Sequence, residues 1–240
     1  FNKNIRWLRL FLFRICRPIL YFLSDIRVIS SITIKHETLL NNYSRESTTF
    51  DSIPGIVKRM TFVKLGFFQS EKFFDKSFTK NLKFKEVYLI TATKLLNSIP
   101  NNCHKIFIHI RRTDYESYTV CGQSTLLPMS YYKDQIEWFI QNRKDCFFIF
   151  LGDETKFLSE EFRYVENKII SRNQHFGTDL AIMTHCNSAI LSPSSFSWWG
   201  SYMMRERDTV FVPKFWLGFR SKVEYQARGV PSYSKEVEIF

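Results

Sequence analysis

The chain has 240 residues, 45% hydrophobic and 24% charged, the balance of an ordinary folded protein long enough to bury a substantial core. Lys and Arg number 34 against 23 Asp and Glu, a net charge of +11 that favours anionic partners (nucleotides, nucleic acid or acidic headgroups) without choosing among them. The five cysteines (Cys16, Cys103, Cys121, Cys146 and Cys186) include no C-x-x-C pair, so neither a disulfide framework nor a zinc ribbon is indicated.

The stretch from Phe1 to Leu23 is apolar and basic, interrupted by Arg6, Arg9, Arg14 and Arg17. No uncharged run in it approaches the ~20 residues of a membrane span, and it lacks a small-residue cleavage site. Two readings of this helix stand: it packs on its own domain, or it docks on a membrane surface as a basic amphipathic helix. Residues 1–100 read as a mostly helical, loop-rich domain, with polar breaks at 41–45 and 98–102. Lys72, Lys76 and Lys80 recur at helical spacing, the mark of a solvated face.

After Pro100 the pattern changes. Lys105–Ile110 is a short β-rich run, and Met129–Asn142 a helix with Tyr132, Ile136, Phe139 and Ile140 at helical spacing. Cys146–Leu151 reads as a buried strand, Phe162–Val165 as a short strand, and Thr178–Cys186 as a helix with Asp179 near its positive end. Ser188–Leu191 is a strand, Ser197–Arg205 a helix and Thr209–Val212 a last strand closed by Pro213. Strands alternating with helices predict a doubly wound parallel α/β unit over residues 101–240.

Three of these strands end in polar clusters: His109–Asp114, Asp153-Glu154 and Ser192–Ser195. In a parallel sheet, ligands bind at the carboxyl ends of the strands, so the clusters should share one rim. Arginine presents a planar fork of donors that suits phosphate oxygens, and Arg111 and Arg112 follow a strand directly. Ser194–Gly200 opens a helix whose backbone N–H groups suit an anion. Arg111 or Arg112 facing Ser194 and Ser195 would grip a diphosphate from two sides, and Asp179 could accept hydrogen bonds from a base such as guanine. Taken singly, the residues have plainer readings: a salt-bridge hub for the arginines, a helix-end carboxylate for Asp179, core packing for His109, Trp198 and Trp199.

No G-x-G-x-x-G, P-loop or Asp-x-Asp motif occurs, which argues against a dinucleotide enzyme, a P-loop ATPase and the usual metal clamp of a sugar-nucleotide diphosphate. Arginines and helix-end dipoles would then neutralise a departing diphosphate. Single-stranded nucleic-acid binding would need basic and aromatic residues interleaved along a groove. Here the telling basic residues gather at one strand end, so nucleic acid is not expected as a partner.

The segments Gly66–Phe74, His109–Tyr115, Tyr131-Tyr132, Asp179–Cys186, Ser194–Gly200 and Val212–Trp216 resemble, in this order, the α1,2-fucosyltransferase family (glycosyltransferase family 11), which shares an H-x-R-R-x-D signature with α1,6- and protein O-fucosyltransferases. The resemblance covers residues 60–216 and implies a GT-B-like fold of two facing Rossmann-like domains: a partial, helix-rich acceptor-side domain over 1–100 and a donor-binding domain over 101–240. It implies GDP-fucose as donor, a galactose-terminated glycan as acceptor, inversion at the anomeric carbon, and neither cofactor nor metal. By that similarity His109 and Asp179 contact guanine, Arg111 and Arg112 hold the β-phosphate, Asp114 orients the arginines, and Ser194, Ser195 and Phe196 close over the diphosphate. Arg111, Arg112 and Asp114 are the candidate catalytic residues, with Glu116 and Asp153 as candidate bases. The family's Gly-Gly-x-Gly-Asn-Gln-x-Phe segment is not present, so either the sequence starts after it or the N-terminal domain is incomplete or divergent there. A bacterial cytoplasmic setting, with peripheral inner-membrane contact through the first helix, fits the unpaired cysteines; the Asn42-Tyr43-Ser44 sequon would suit a Golgi lumen instead.

Overall fold

The computed structural model describes residues 3–64, 66–68, 70–74, 77, 82–172 and 175–239, with side chains from residue 11 onward except at position 41. The chain divides into two compact units, residues 1–38 with 44–68, and residues 39–43 with 69–240.

In the first unit, helix α1 (Lys3–Asp25) precedes a three-stranded sheet of β1 (Ile29–Thr38), β2 (Ser44–Ile53) and β3 (Val57–Val63). The sheet order is β2-β1-β3, with β2 antiparallel and β3 parallel to β1. Tyr21 of α1 meets Phe62 of β3 edge-on, ring centroids 5.0 Å apart. The expectation of a mostly helical N-terminal region is corrected here. Strand β2 (SRESTTFDSI) exposes most of its residues, so it lacks the apolar alternation that marks a half-buried strand. No helix among the described residues is long and apolar enough to cross a membrane.

The second unit is built on a six-stranded sheet. Its strands are β4 (His104–Ile110), β7 (Cys146–Gly152), β8 (Lys168–Ile170), β9 (Ser188–Leu191), β10 (Val210–Pro213) and β11 (Lys235–Val237); a small hairpin of β5 (Thr119–Val120) and β6 (Gln123–Ser124) lies apart. The order β11-β10-β9-β4-β7-β8 is parallel throughout. Counted along the chain from β4, this is the 3-2-1-4-5-6 order of a Rossmann-type sheet. Of the two Rossmann-like domains that the resemblance implies, the described residues form this one.

Period-two alternation sends strand side chains to two cores. Phe107, Ile149, Leu151, Ala189, Leu191, Val210 and Val212 face helices α2 (Glu86–Leu96), α5 (Phe176–Met183) and α6 (Ser195–Tyr202). Ile106, Ile108, Phe148, Phe150, Ile190 and Phe211 face α3 (Met129–Asn142) and α4 (Thr155–Glu161). Burial on both faces explains why β4 and β7 read as unbroken apolar runs. The polar break at Pro100 is a turn inside this unit, since α2 before it contributes Ala92 to the first core.

Phe162–Val165, expected as a strand, is the turn that ends α4, and the strand follows at Lys168–Ile170. Phe162 is apolar for another reason: its ring folds back onto Phe150, centroids 4.6 Å apart. Among the lysines at helical spacing, Lys72 is exposed, whereas Lys76 and Lys80 lie outside the described residues, as does Gln69 of the Gly66–Phe74 segment.

Candidate active site

The chain leaves β4 in one direction along the sheet, toward β7, and later returns on the other side as β9. The crevice beyond the carboxyl ends of β4 and β9 is therefore the topological switch point, where an open α/β sheet binds its ligand. A cleft of about 350 Å³ opens there, lined by His109, Ile110, Arg111, Thr113, Leu151, Gly152, Asp153, Phe176, Asp179 and Phe196.

From β4 the backbone turns into a 3₁₀ segment, Thr113–Glu116, and the neighbouring strand end fixes that turn. The Asp153 carboxylate accepts the Thr113 hydroxyl at 2.6 Å, the Thr113 amide at 3.0 Å and the Arg112 amide at 3.3 Å. Burial works to raise the Asp153 pKa, but the Thr113 hydroxyl and these amides outweigh it, and the carboxyl sits below its usual range. The Tyr115 hydroxyl donates to the Pro193 carbonyl at 2.7 Å, which ties the same turn to the loop before α6.

The two arginines part company. Arg111 lines the cleft, and Asp114 grips it twice, Nε to Oδ1 and Nη2 to Oδ2, both at 2.8 Å. Arg112 is mostly buried, donates through Nε to Glu154 at 2.6 Å, reaches Glu116 at 3.4 Å, and lies over the Phe157 ring at 4.2 Å. It is the salt-bridge hub that the sequence left open, bracing the turn from which Arg111 extends.

His109 is buried, its Nδ1 2.6 Å from the Ser192 hydroxyl, and its ring lies 5.6 Å from that of Phe196. Burial, with the Arg111 charge beside it, lowers its pKa to about 4, so the imidazole is neutral at pH 7. Ser194 caps α6, its Oγ accepting the Phe196 amide at 3.3 Å, while Ser195 is exposed at the first helical position. Ser197 secures this start from within, donating to the carbonyls of Ser192 (2.9 Å) and Ser194 (3.0 Å). The helix therefore presents its N-terminal amides at the β9 edge of the crevice. Behind it, Phe74 stacks on Trp199 at 5.1 Å and meets Trp198 edge-on, so Phe74 braces the Ser194–Gly200 motif.

Asp179, in the first turn of α5, accepts the Ser171 hydroxyl at 2.6 Å. Burial raises its pKa, only partly offset by Ser171 and by the nearby His175. Of the expected residues, the cleft thus gathers His109, Arg111, Asp179 and Phe196 in its lining; Ser194 and Ser195 form the helix start at the same crevice, and Asp114 and Arg112 act on the turn. Neither candidate base is set for that task. Asp153 is committed to the turn and its lowered pKa makes it a poor proton acceptor, and Glu116 is paired with Arg112. Ser192, Ser171 and Phe176 complete the surroundings; only Ser192 carried a sequence signal, as part of the cluster ending β9.

A family model, glycosyl transferase family 11, matches residues 5–226. The chain belongs to that family. Among its relatives, the O-antigen biosynthesis glycosyltransferase WbnK of Escherichia coli is 26% identical over 129 residues, 52% of this chain and 43% of that protein. The galactoside alpha-(1,2)-fucosyltransferase 1 of Mus musculus is 24% identical over 212 residues, 85% of this chain and 55% of that protein. An alpha-1,2-colitosyltransferase of Escherichia coli is 25% identical over 152 residues, 58% of this chain and 50% of that protein. The chain spans about half the length of these relatives. Among solved structures, POFUT1 in complex with GDP-fucose is similar at a TM-score of 0.49 and 14% identity, over 75% of this chain and 54% of that one.

Proposed function

We propose that this chain carries the donor-binding site of an inverting glycosyltransferase that moves L-fucose from GDP-fucose to O2 of a terminal galactose, without a metal. The observation that carries the reading is the pairing, across one switch-point crevice, of Arg111 at the end of β4 with the N-terminus of α6 after β9. In the displacement, the acceptor hydroxyl bonds to C1 of fucose as the bond from C1 to the β-phosphate oxygen breaks; GDP leaves with that electron pair, and the hydroxyl proton passes to water. Arg111 and the α6 amides meet the charge that develops on the leaving diphosphate, where fixed donors lower a barrier most. Arg112, Asp153 and Asp114 hold Arg111 in place for this.

The α1,2 linkage is supported by the relatives named for α1,2 transfer, and a glycan acceptor in a bacterial cytoplasm by the O-antigen relative. The colitosyltransferase supports a second reading, in which colitose replaces fucose as the transferred sugar. The test is incubation of the protein with GDP-fucose and chelator, against galactose-ended acceptors, with product linkage read by NMR. Transfer to O2 that is lost in Arg111→Ala supports the assignment; undiminished turnover in that variant sinks it. An acceptor screen that yields only 1,6-linked or peptide-linked fucose moves the chain to an α1,6- or protein O-fucosyltransferase with the same donor site.

A further inference from the structure

The cleft has a second set of lining residues that the diphosphate does not use. Phe176, the first residue of α5, is 68% exposed and lines the cleft together with Asp179. Leaving an aromatic ring of this size largely in water forfeits the gain of burying it, so its placement asks for a reason. The ring is held there by a stack. Tyr88 of α2 lies parallel to His175 at 4.5 Å and 13°, and His175 lies 4.0 Å from Phe176. His175 is fixed in turn, its Nδ1 accepting the Gly177 amide at 3.0 Å. Glycine at 177 permits the stack, since a Cβ there would come within 2.6 Å of the Tyr88 ring.

Three residues along α5, Asp179 is aimed by Ser171. That serine directly follows β8, is 5% exposed, and its amide is bonded to the Phe150 carbonyl at 2.9 Å, so the hydroxyl that Asp179 accepts is held in place. A carboxylate with one oxygen engaged in this way keeps acceptor capacity for a pair of parallel N–H donors.

We propose that Phe176 and Ser171 complete a base-reading subsite around Asp179, in which the purine face stacks on Phe176 and Ser171 orients the carboxylate toward the N1–H and 2-amino donors of guanine. This deepens the donor reading above and rests on it. Stacking is indifferent to base identity because every base has a π-face. Selection therefore falls to the carboxylate. Adenine offers it a lone pair at N1 where guanine offers a hydrogen, and hypoxanthine has N1–H but lacks the amino group. Phe176 supplies affinity, Ser171 supplies discrimination, and the two are separable.

The experiment is calorimetric titration of GDP, IDP and ADP into the wild-type chain and into Phe176→Ala, Phe176→Trp, Ser171→Ala and Arg111→Ala. The wild type should bind GDP most tightly, IDP less and ADP least. Phe176→Ala should lose about 10-fold for whichever bases bind measurably, while Phe176→Trp, which keeps a π-face, should not. Ser171→Ala should weaken GDP, which uses both carboxylate bonds, more than IDP, which uses one, and so shrink the preference for GDP over IDP several-fold. Wild-type affinity for GDP in Phe176→Ala, or an intact preference in Ser171→Ala, overturns the subsite. Arg111→Ala reads the donor assignment separately. Loss of GDP binding there with no effect at Phe176 keeps the donor reading and removes this one, and the reverse pattern keeps a base subsite without the diphosphate site.

Discussion

Arg111 and Asp114 meet edge to edge, with Nε and Nη2 of the guanidinium each 2.8 Å from one carboxylate oxygen. The hydrogen bond holds Asp114 below the usual carboxylate range and strengthens the Arg111 charge. A fork engaged along this edge is fixed in plane and keeps its remaining N–H groups for a phosphate. Asp114 thereby acts through Arg111.

Asp114→Asn should lower kcat/KM for the donor by about 10-fold, less than Arg111→Ala does, and should add little in the Arg111→Ala background, because the two share one task. Unfolding free energy should change by less than about 1 kcal/mol, since both groups are about half exposed and such pairs contribute little. A double-mutant cycle on turnover, with urea melts alongside, checks both parts. Full additivity on turnover would show that Asp114 acts independently of Arg111.

His109 gives a pH signature. Its pKa falls from 6.5 to about 4 in the folded chain, so between those values the unfolded state binds the extra proton. Stability from this residue is complete above pH 6.5 and is lost as the pH falls toward 4, a swing of about 3 kcal/mol. Urea melts at pH 7 and pH 5 should show the loss, and His109→Gln should show a smaller one. The donor affinity of the wild type should carry no titration from this imidazole between pH 6 and 8.

The second unit was legible because its strands are buried on both faces, so Ile106–Ile110 and Cys146–Leu151 announce themselves, as does the helix at Met129–Asn142. The strand ends located the arginine turn and the Ser194 cap for the same reason: polar clusters after apolar runs have few places to go. What escaped the sequence depends on tertiary contact. Phe176 reads as one more apolar residue until the fold leaves it at the rim of the cleft, and Ser171 gains meaning only when β8 brings it to Asp179. The division of labour between Arg111 and Arg112 likewise depends on Glu154, 42 residues beyond Arg112. The first sheet was missed because its strands bury few side chains, leaving no periodic signal.

Gly200 tests how the Ser194–Gly200 motif is held. A Cβ at this position would overlap the Met183 thioether of α5, so a methyl there must displace the buried Met183 side chain or push α6 away from α5. Gly200→Ala should destabilise the fold by about 1–3 kcal/mol and weaken GDP binding as the start of α6 shifts. Trimming the partner in Gly200→Ala, Met183→Ala should restore GDP affinity relative to Gly200→Ala alone. Thermal melts and GDP titration of the three variants check this; a double variant no better than the single one would show that Met183 is not the obstacle.

Asp179 sets stability against recognition. Burial raises its pKa, so the folded chain binds a proton here more readily than the unfolded one, and the charged carboxylate costs stability as pH rises through that window. Asp179→Asn removes the charge and keeps an oxygen to accept the Ser171 hydroxyl. The variant should therefore be no less stable than wild type at pH 7, and it should lose most of its affinity for GDP, because an amide presents a donor where guanine also presents one. Paired urea melts and GDP titrations at pH 7 decide it. A variant that binds GDP as wild type does would exclude Asp179 as the acceptor for the base, whatever its effect on stability.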